Sequence, residues 1–397
     1  MSSAEARRRK VSANHHTAPS GCYLDHAAGS PLRPQARAAM ADNADMVGNP
    51  AALHGAGRAA RALLEDSREQ LAALVGAQPD EVVFTSGGSE ADTIAVLQGA
   101  ASRGEDRPGV LVGAIEHPAV GASAGLLGAR VGLIPVDAGG QTDLGELERL
   151  LTADAPAVGL VSLMWVNNEL GTVQPVGRAA GLAGRAGALF HTDAVQALGQ
   201  VRVRFGECGA DLMSLSAHKV GGPVGIGALI VRRGVSLPAW GLGGRQEGGL
   251  RSGTQAAVLA AGFAAAAARA VDDLTDDPDR YLRLRERLVA GLGSVRGTTV
   301  NGDDPVGGAI VNVTFDATSA EDVTFLLDQQ GIWASTGSAC RAGVHGPSEV
   351  LLAMGRDDAA ARASVRFSMG WTTTPDDIDH LLGVLPGVVE RARRVPH

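Results

Sequence analysis

A chain of 397 residues, 45% of them hydrophobic, can bury a large core, and two domains is the natural division at that length. A net charge of −8 leaves no global basic field to draw it to nucleic acid or anionic lipid, and no direct nucleic-acid binding is expected. No run approaches the ~18 apolar residues of a membrane span, and three cysteines (Cys22, Cys208, Cys340) cannot build a disulfide framework, which points to a reducing cytoplasm.

The chain begins with a polar stretch, residues 1–20, whose basic cluster Arg7-Arg8-Arg9-Lys10 has no apolar run behind it; it reads as a disordered tail, not a secretion signal or anchor. From about residue 80, short apolar runs alternate with amphipathic stretches. The expected strands are 82–85, 110–115, 131–136, 158–164, 188–192, 211–215 and 227–231, with helices at 143–151 and 176–186 between them. Apolar strands alternating with helices imply an α/β fold, with a mostly parallel seven-stranded sheet covered on both faces. The alanine-rich run 256–270 reads as a buried helix that ends at an acidic turn, 272–278, a candidate domain boundary. Beyond it the pattern predicts a helix at 280–292, strands at 309–315 and 363–368, a helix at 319–329 and a closing helix from Pro375. That makes a smaller α+β domain.

Ligands of open α/β sheets collect at the carboxyl ends of the strands, and this chain places its polar oddities there. After the first strand comes Thr85-Ser86-Gly87-Gly88-Ser89-Glu90, either a phosphate cradle at a helix start or an ordinary N-cap. After the second comes Glu116-His117-Pro118, a ring to stack on a flat cofactor or a surface loop histidine. After the fourth comes Asn167-Asn168-Glu169, a tight turn or an amide donor to a phenolic oxygen. After the fifth comes His191-Thr192-Asp193, where Asp193 is a pyridinium partner or a helix cap. The sixth ends in Ser216-Ala217-His218-Lys219 followed by glycines, the setting of a lysine that forms a Schiff base with pyridoxal phosphate. Each motif is ambiguous alone; together they line up one cofactor's needs on successive strand ends.

At these residues the chain resembles the class V, fold type I pyridoxal-phosphate enzymes, and within them the NifS/IscS-type cysteine desulfurases. The likeness also rests on Tyr23-Leu24-Asp25-His26-Ala27-Ala28, Arg251-Ser252-Gly253-Thr254, Ser338-Ala339-Cys340 and Arg366-Phe367-Ser368, and runs from about Tyr23 to the C-terminus. It implies pyridoxal 5′-phosphate on Lys219, Asp193 at the pyridinium nitrogen, His117 against the ring, and Asn168 and Gln196 at the phenolic oxygen. Gly88, Ser89, Ser216 and His218 would hold the phosphate. Thr254 would reach the phosphate of a neighbouring subunit, implying a homodimer. Arg366 would grip the substrate carboxylate, with Asn168 beside it. No metal is implied. The expected division is a tail (1–20), a segment packing with the small domain (21–35), a large cofactor-binding domain (36–275) and a small domain (276–397) carrying the cysteine loop.

Cys340 lies in the Gly/Ser/Ala run Thr336–Gly346, where there is no core to bury it and Arg341 and His345 favour a thiolate. Its catalytic partners by the resemblance are Lys219 and His117. The implied reaction takes L-cysteine to L-alanine and leaves the sulfur as a persulfide on Cys340 for an acceptor protein. The loop between Cys340 and Pro347 is similar to the longer-loop IscS-like branch, and Cys22 and Cys208 have no comparable setting. A class V aminotransferase or C–S β-lyase would share the cofactor site without needing Cys340; a non-catalytic scaffold would need neither. The chain departs from the family pattern at His26-Ala27-Ala28-Gly29-Ser30, where Asn-x-Thr-Thr is usual, at Ser89 for Thr, and at Leu242 and Arg245 in the run before Arg251.

Overall fold

The computed structural model describes residues 21–153, 157–337 and 346–395. Its strands are β1 (Cys22–Tyr23), β2 (Val82–Thr85), β3 (Gly109–Gly113), β4 (Val131–Ile134), β5 (Val158–Ser162), β6 (Leu189–Asp193), β7 (Leu212–Ser216), β8 (Gly227–Val231), β9 (Thr298–Asn301), β10 (Ile310–Phe315), β11 (Ile332–Trp333) and β12 (Ser364–Ser368). The main sheet runs β2-β8-β7-β6-β5-β3-β4. Strands β3 to β7 are parallel, and β8 is antiparallel to both β7 and β2. The mostly parallel seven-stranded sheet read from the sequence is therefore the one that forms.

Helices on both faces explain why these strands are apolar nearly end to end. On one face lies the helix Gly88–Ser102, whose Ala91, Ile94 and Ala95 pack with Val83, Leu160, Leu212 and Leu229. On the other lie Gly55–Val75, Val176–Arg185 and Ala257–Asp276, built around Leu64, Leu71, Ala179, Phe190, Phe205 and Phe263. Three strands stop short of their expected ends. Ile115 and Met164 stay apolar because they are buried in a separate cluster with Leu170, Val350 and Met354, beyond the hydrogen-bonded ladder. The alanine-rich helix instead runs past its expected stop, to Asp276. Its acids do not force a turn, because Asp273 on its flank pairs with Arg33 at 2.6 Å and with Arg269 one turn earlier.

A second core forms around Phe315, Phe367, Leu288, Leu327, Leu381 and Leu385. It is covered by the antiparallel sheet β12-β10-β9 and the helices Arg280–Leu292, Ala320–Asp328 and Pro375–Ala392. The last helix starts at a reciprocal Thr374–Asp377 capping box with Pro375 in its first turn. Strand β1 pairs in parallel with β11, which brings Cys22 and Leu24 into this core. Asp25 then bridges to Ser368 at the end of β12. The segment Cys22–Asp25 thereby runs along the edge of the cleft between the two cores.

Candidate active site

Lys219 follows β7 in the short helical turn Ala217–Lys219. It is the sole lysine among the described residues; the chain's other one is Lys10. Its Nζ donates to the carbonyls of Ala27 at 2.6 Å and Ala28 at 3.0 Å. Burial, and then the charge of Arg366, lower its pKa from 10.5 to about 8, against the pull of Asp193 and Asp25. Asp193 ends β6, buried, with Oδ1 accepting from the Val195 amide at 2.8 Å. Burial pushes its carboxyl up, and the charges of His117 and Lys219 pull it back down. His117 caps the helix Pro118–Gly125 by accepting from the Ala119 amide, and burial holds its pKa below the usual imidazole value. The side chain of Asp193 thus closes a turn where a helix cap was the bland expectation, and His117, whose bland reading was a surface loop histidine, is a helix cap; the charges of both also act on the lysine.

Beneath this floor lies a buried polar layer that the sequence reading did not single out. The His191 ring sits between Ser162 Oγ and Ser214 Oγ, each at 2.9 Å, and burial lowers its pKa to about 3. Asp92 and Glu116 are both raised, first by burial and then by the charge of Asp193. The signal was available: polar residues facing inward from otherwise apolar strands need partners.

At the start of the helix Gly88–Ser102, a Cβ on Gly88 would lie 2.8 Å from Val195 Cγ2 and 3.4 Å from Ser216 Cβ. Only bare backbone fits there. Ser89 stands exposed in the first turn, where amides have no intrahelical partner. Ser216 Oγ is 2.8 Å from His218 Nδ1, so Gly88, Ser89, Ser216 and His218 are brought together. This donor set suits a phosphate, with Lys219 on the same turn, Asp193 at the end of neighbouring β6 and His117 beyond the end of β3 to suit a pyridine ring and its aldehyde. The residues present fit pyridoxal phosphate.

The facing wall comes from distant segments. Arg366 on β12 donates to Asp25 Oδ1 at 2.8 Å and to the Asn168 carbonyl at 2.9 Å, while its Nε is buried with no partner among the described residues. Asn167 is fully buried and spends its amide on the Ile115 carbonyl and the Glu169 and Leu170 amides; Asn168 is the half-exposed member of the pair. Gln196 Nε2 donates to the same Ala27 carbonyl that receives Lys219, at 2.8 Å. Glu169, buried and raised by burial, accepts from Ser348 Oγ at 2.5 Å. Thr254 is not in hydrogen-bond contact with these residues; it stands exposed on its own segment. Cys340 lies outside the described residues. Cys22 and Cys208 are both buried, and burial pushes Cys22 up to about 12 and raises Cys208, so neither offers a thiolate near neutral pH.

Residues 22–381 match the Aminotransferase class-V family model. The chain belongs to that family. Within it, the chain stands among the NifS/IscS-type cysteine desulfurases. It is 44% identical, over 94% of its length and 97% of the relative's, to an IscS-like cysteine desulfurase of Mycobacterium tuberculosis. A solved NifS-like protein superposes with a TM-score of 0.86 at 31% identity, covering 94% of this chain and all of that one. Another solved relative, described as SspA in complex with cysteine, has a TM-score of 0.75 at 32% identity, over 87% of this chain and 98% of its own. Class V enzymes of this kind are pyridoxal-phosphate-dependent.

One departure of this desulfurase has a visible setting. In the run after Leu242, Glu247 is buried and pairs with Arg68 through both oxygens, at 2.8 and 3.0 Å. It also accepts from the Phe84 amide and Gln255 Nε2. The loop that carries Thr254 is therefore anchored behind β2, while Leu242 at its tip is fully exposed.

Proposed function

We propose that the cleft holds pyridoxal 5′-phosphate on Lys219 and that the chain, as a homodimer, converts L-cysteine to L-alanine, leaving the sulfur as a persulfide on Cys340 for an acceptor protein. The observation that carries this reading is a half-buried lysine whose Nζ donates only to the Ala27 and Ala28 carbonyls among the described residues, with burial and the charge of Arg366 lowering its pKa to about 8. Gly88, Ser89, Ser216 and His218 would hold the phosphate, Asp193 the pyridinium proton, His117 one ring face, and Asn168 with Gln196 the phenolic oxygen. Arg366 would exchange Asp25 for the substrate carboxylate, for which its planar fork is suited. Bound there, the cofactor supplies an electron-poor ring that takes up the electron pair left when the Cα–H bond breaks.

Lys219 receives the Cα proton, since a pKa of about 8 leaves a share of the amine neutral near physiological pH. The Cys340 thiolate then attacks the substrate sulfur: an S–S bond forms and the C–S bond breaks, its electron pair staying with Cβ, which gains a proton; Lys219 returns the proton to Cα, so that alanine leaves and the sulfur stays on Cys340. The burial of Cys22 and Cys208 supports Cys340 as the nucleophile. The relative described with bound cysteine supports the substrate. Exposed Leu53, Val224 and Leu242, at 91%, 80% and 104% exposure, support a subunit interface to which Thr254 contributes. A cytoplasmic location belongs to the same reading; among the described residues no helix is long and apolar enough to cross a membrane.

Borohydride reduction of the loaded protein should fix the cofactor on Lys219 and not on Lys10. Given L-cysteine without reductant, the Cys340 peptide should gain one sulfur by mass spectrometry, and Cys340→Ser should retain the cofactor but make no alanine. Alanine release by Cys340→Ser at the wild-type rate would hand the site to the aminotransferase or β-lyase reading.

A further inference from the structure

The amine of Lys219 hangs from a turn 191 and 192 positions away in sequence. That turn, 26–30, is one of the places where the chain departs from the family's usual pattern. Its backbone has several holds: the Ala28 and Gly29 amides donate to the Asp25 carbonyl, the Ala27 amide to Ser368 Oγ, and the Ser30 amide to the His218 carbonyl. Its one buried polar side chain is His26, 4% exposed. Nδ1 of His26 is 2.7 Å from Ser30 Oγ, and Nε2 is 3.0 Å from Thr372 Oγ1. The Tyr23 ring meets it edge to face at 5.0 Å between centroids. A Cβ on residue 370 would lie 2.0 Å from Nδ1, so Gly370 leaves the room in which the ring sits. Burial, then the charges of Arg280 and Arg33, lower its pKa to about 4. A neutral imidazole has one donor and one acceptor nitrogen, and here each faces a hydroxyl. His26 therefore closes the turn onto itself through Ser30 and fastens it to the 370–373 segment through Thr372.

We propose that His26 is a positioning residue for Lys219: by tying Ser30 to Thr372 it fixes the Ala27 and Ala28 carbonyls as the seat that receives the lysine's amine whenever that amine is not bonded to the cofactor. The consequence for turnover rests on Lys219 being the cofactor lysine. The seat itself belongs to the cofactor-free chain, so the two ideas fail separately. The Ala27 carbonyl also receives Gln196, so one turn aligns both the lysine and a side chain proposed to face the cofactor.

The test uses cofactor-free full-length protein and trace acetylation with acetic anhydride at a pH where the amines are neutral. The chain's only other lysine, Lys10, serves as the internal reference. The Lys219-to-Lys10 labelling ratio should rise about fivefold in Thr372→Val and in Ser30→Ala, the scale of one neutral hydrogen bond, and further in His26→Ala. Melting curves exclude global unfolding, and the isosteric Thr372→Val keeps the test alive if His26→Ala does not fold. In the loaded enzyme, Thr372→Val should lower kcat for L-cysteine about tenfold or more with KM little changed, the mark of a misaligned proton carrier. An unchanged labelling ratio in folded Thr372→Val and Ser30→Ala overturns the proposal, as does a change confined to His26→Ala, which would make the ring a filler. If borohydride fixes no cofactor on Lys219, the functional reading falls while the labelling result stands.

Discussion

The floor and the wall of the cleft are built in opposite ways. Every floor residue sits at or just beyond the end of a strand or at a helix start: His117 after β3, Asp193 on β6, Lys219 after β7, Gly88 opening the helix behind β2. Each is positioned by its own local structure. The wall is assembled from segments hundreds of residues apart, with Arg366 reaching across 341 positions to Asp25 and 198 to Asn168. On the proposed reading, cofactor chemistry is preset by the sheet, whereas substrate recognition depends on how the second core and residues 22–30 close over it.

That contrast can be broken from behind the floor first. Glu247→Ala strips the bidentate partner from buried Arg68, leaves it only the half-exposed Glu65 carboxylate as a charge partner and orphans the Phe84 amide, so it should cost about 3 kcal/mol in urea unfolding. A loss under 1 kcal/mol would mean the loop behind β2 is held by packing alone.

The floor itself predicts a pH dependence. Lys219 titrates at about 8 in the folded cofactor-free chain and near 10.5 unfolded, so between those values the unfolded chain binds the extra proton. Stability should therefore rise with pH across that window, with the penalty complete below pH 8. Denaturation of the cofactor-free protein should show wild type gaining about 3 kcal/mol relative to Lys219→Met from pH 8 to 10.5. A flat difference would mean that water reaches the amine.

The wall should fail in binding, not in cofactor retention. Arg366→Ala should lower kcat/KM for L-cysteine about a hundredfold while the cofactor's absorbance is kept, and Arg366→Lys should recover only part, lacking the bidentate fork. Loss of the cofactor in Arg366→Ala would erase the distinction between floor and wall. The smallest effect is expected where neither region reaches: Thr254→Ala should weaken cofactor retention by about 1 kcal/mol, the scale of one hydrogen bond, and only in the dimer.

The floor was largely legible in the sequence, and the wall was not. Apolar runs ending in Glu116-His117, His191-Thr192-Asp193 and Ser216-Ala217-His218-Lys219 mark both the strand and the group it presents, because strand end and side chain are neighbours in the chain. Arg366 was named through family likeness, but its partner Asp25 was not, and the Arg68–Glu247 pair spans 179 positions with nothing local to announce it. The helix at Ala257–Asp276 outran its expected end for the same reason, since Arg33, far upstream, satisfies Asp273.

The sequence by itself determined the sheet, the order of chemistry along its strand ends and the family, because periodicity and strand-end motifs are local properties of the chain. Only the tertiary structure decided which carbonyls receive the Lys219 amine, which carboxylate holds Arg366, and that His191 and His26 are neutral. Those outcomes depend on burial and on partners from elsewhere in the chain, and desolvation exists only once the chain has closed around the group.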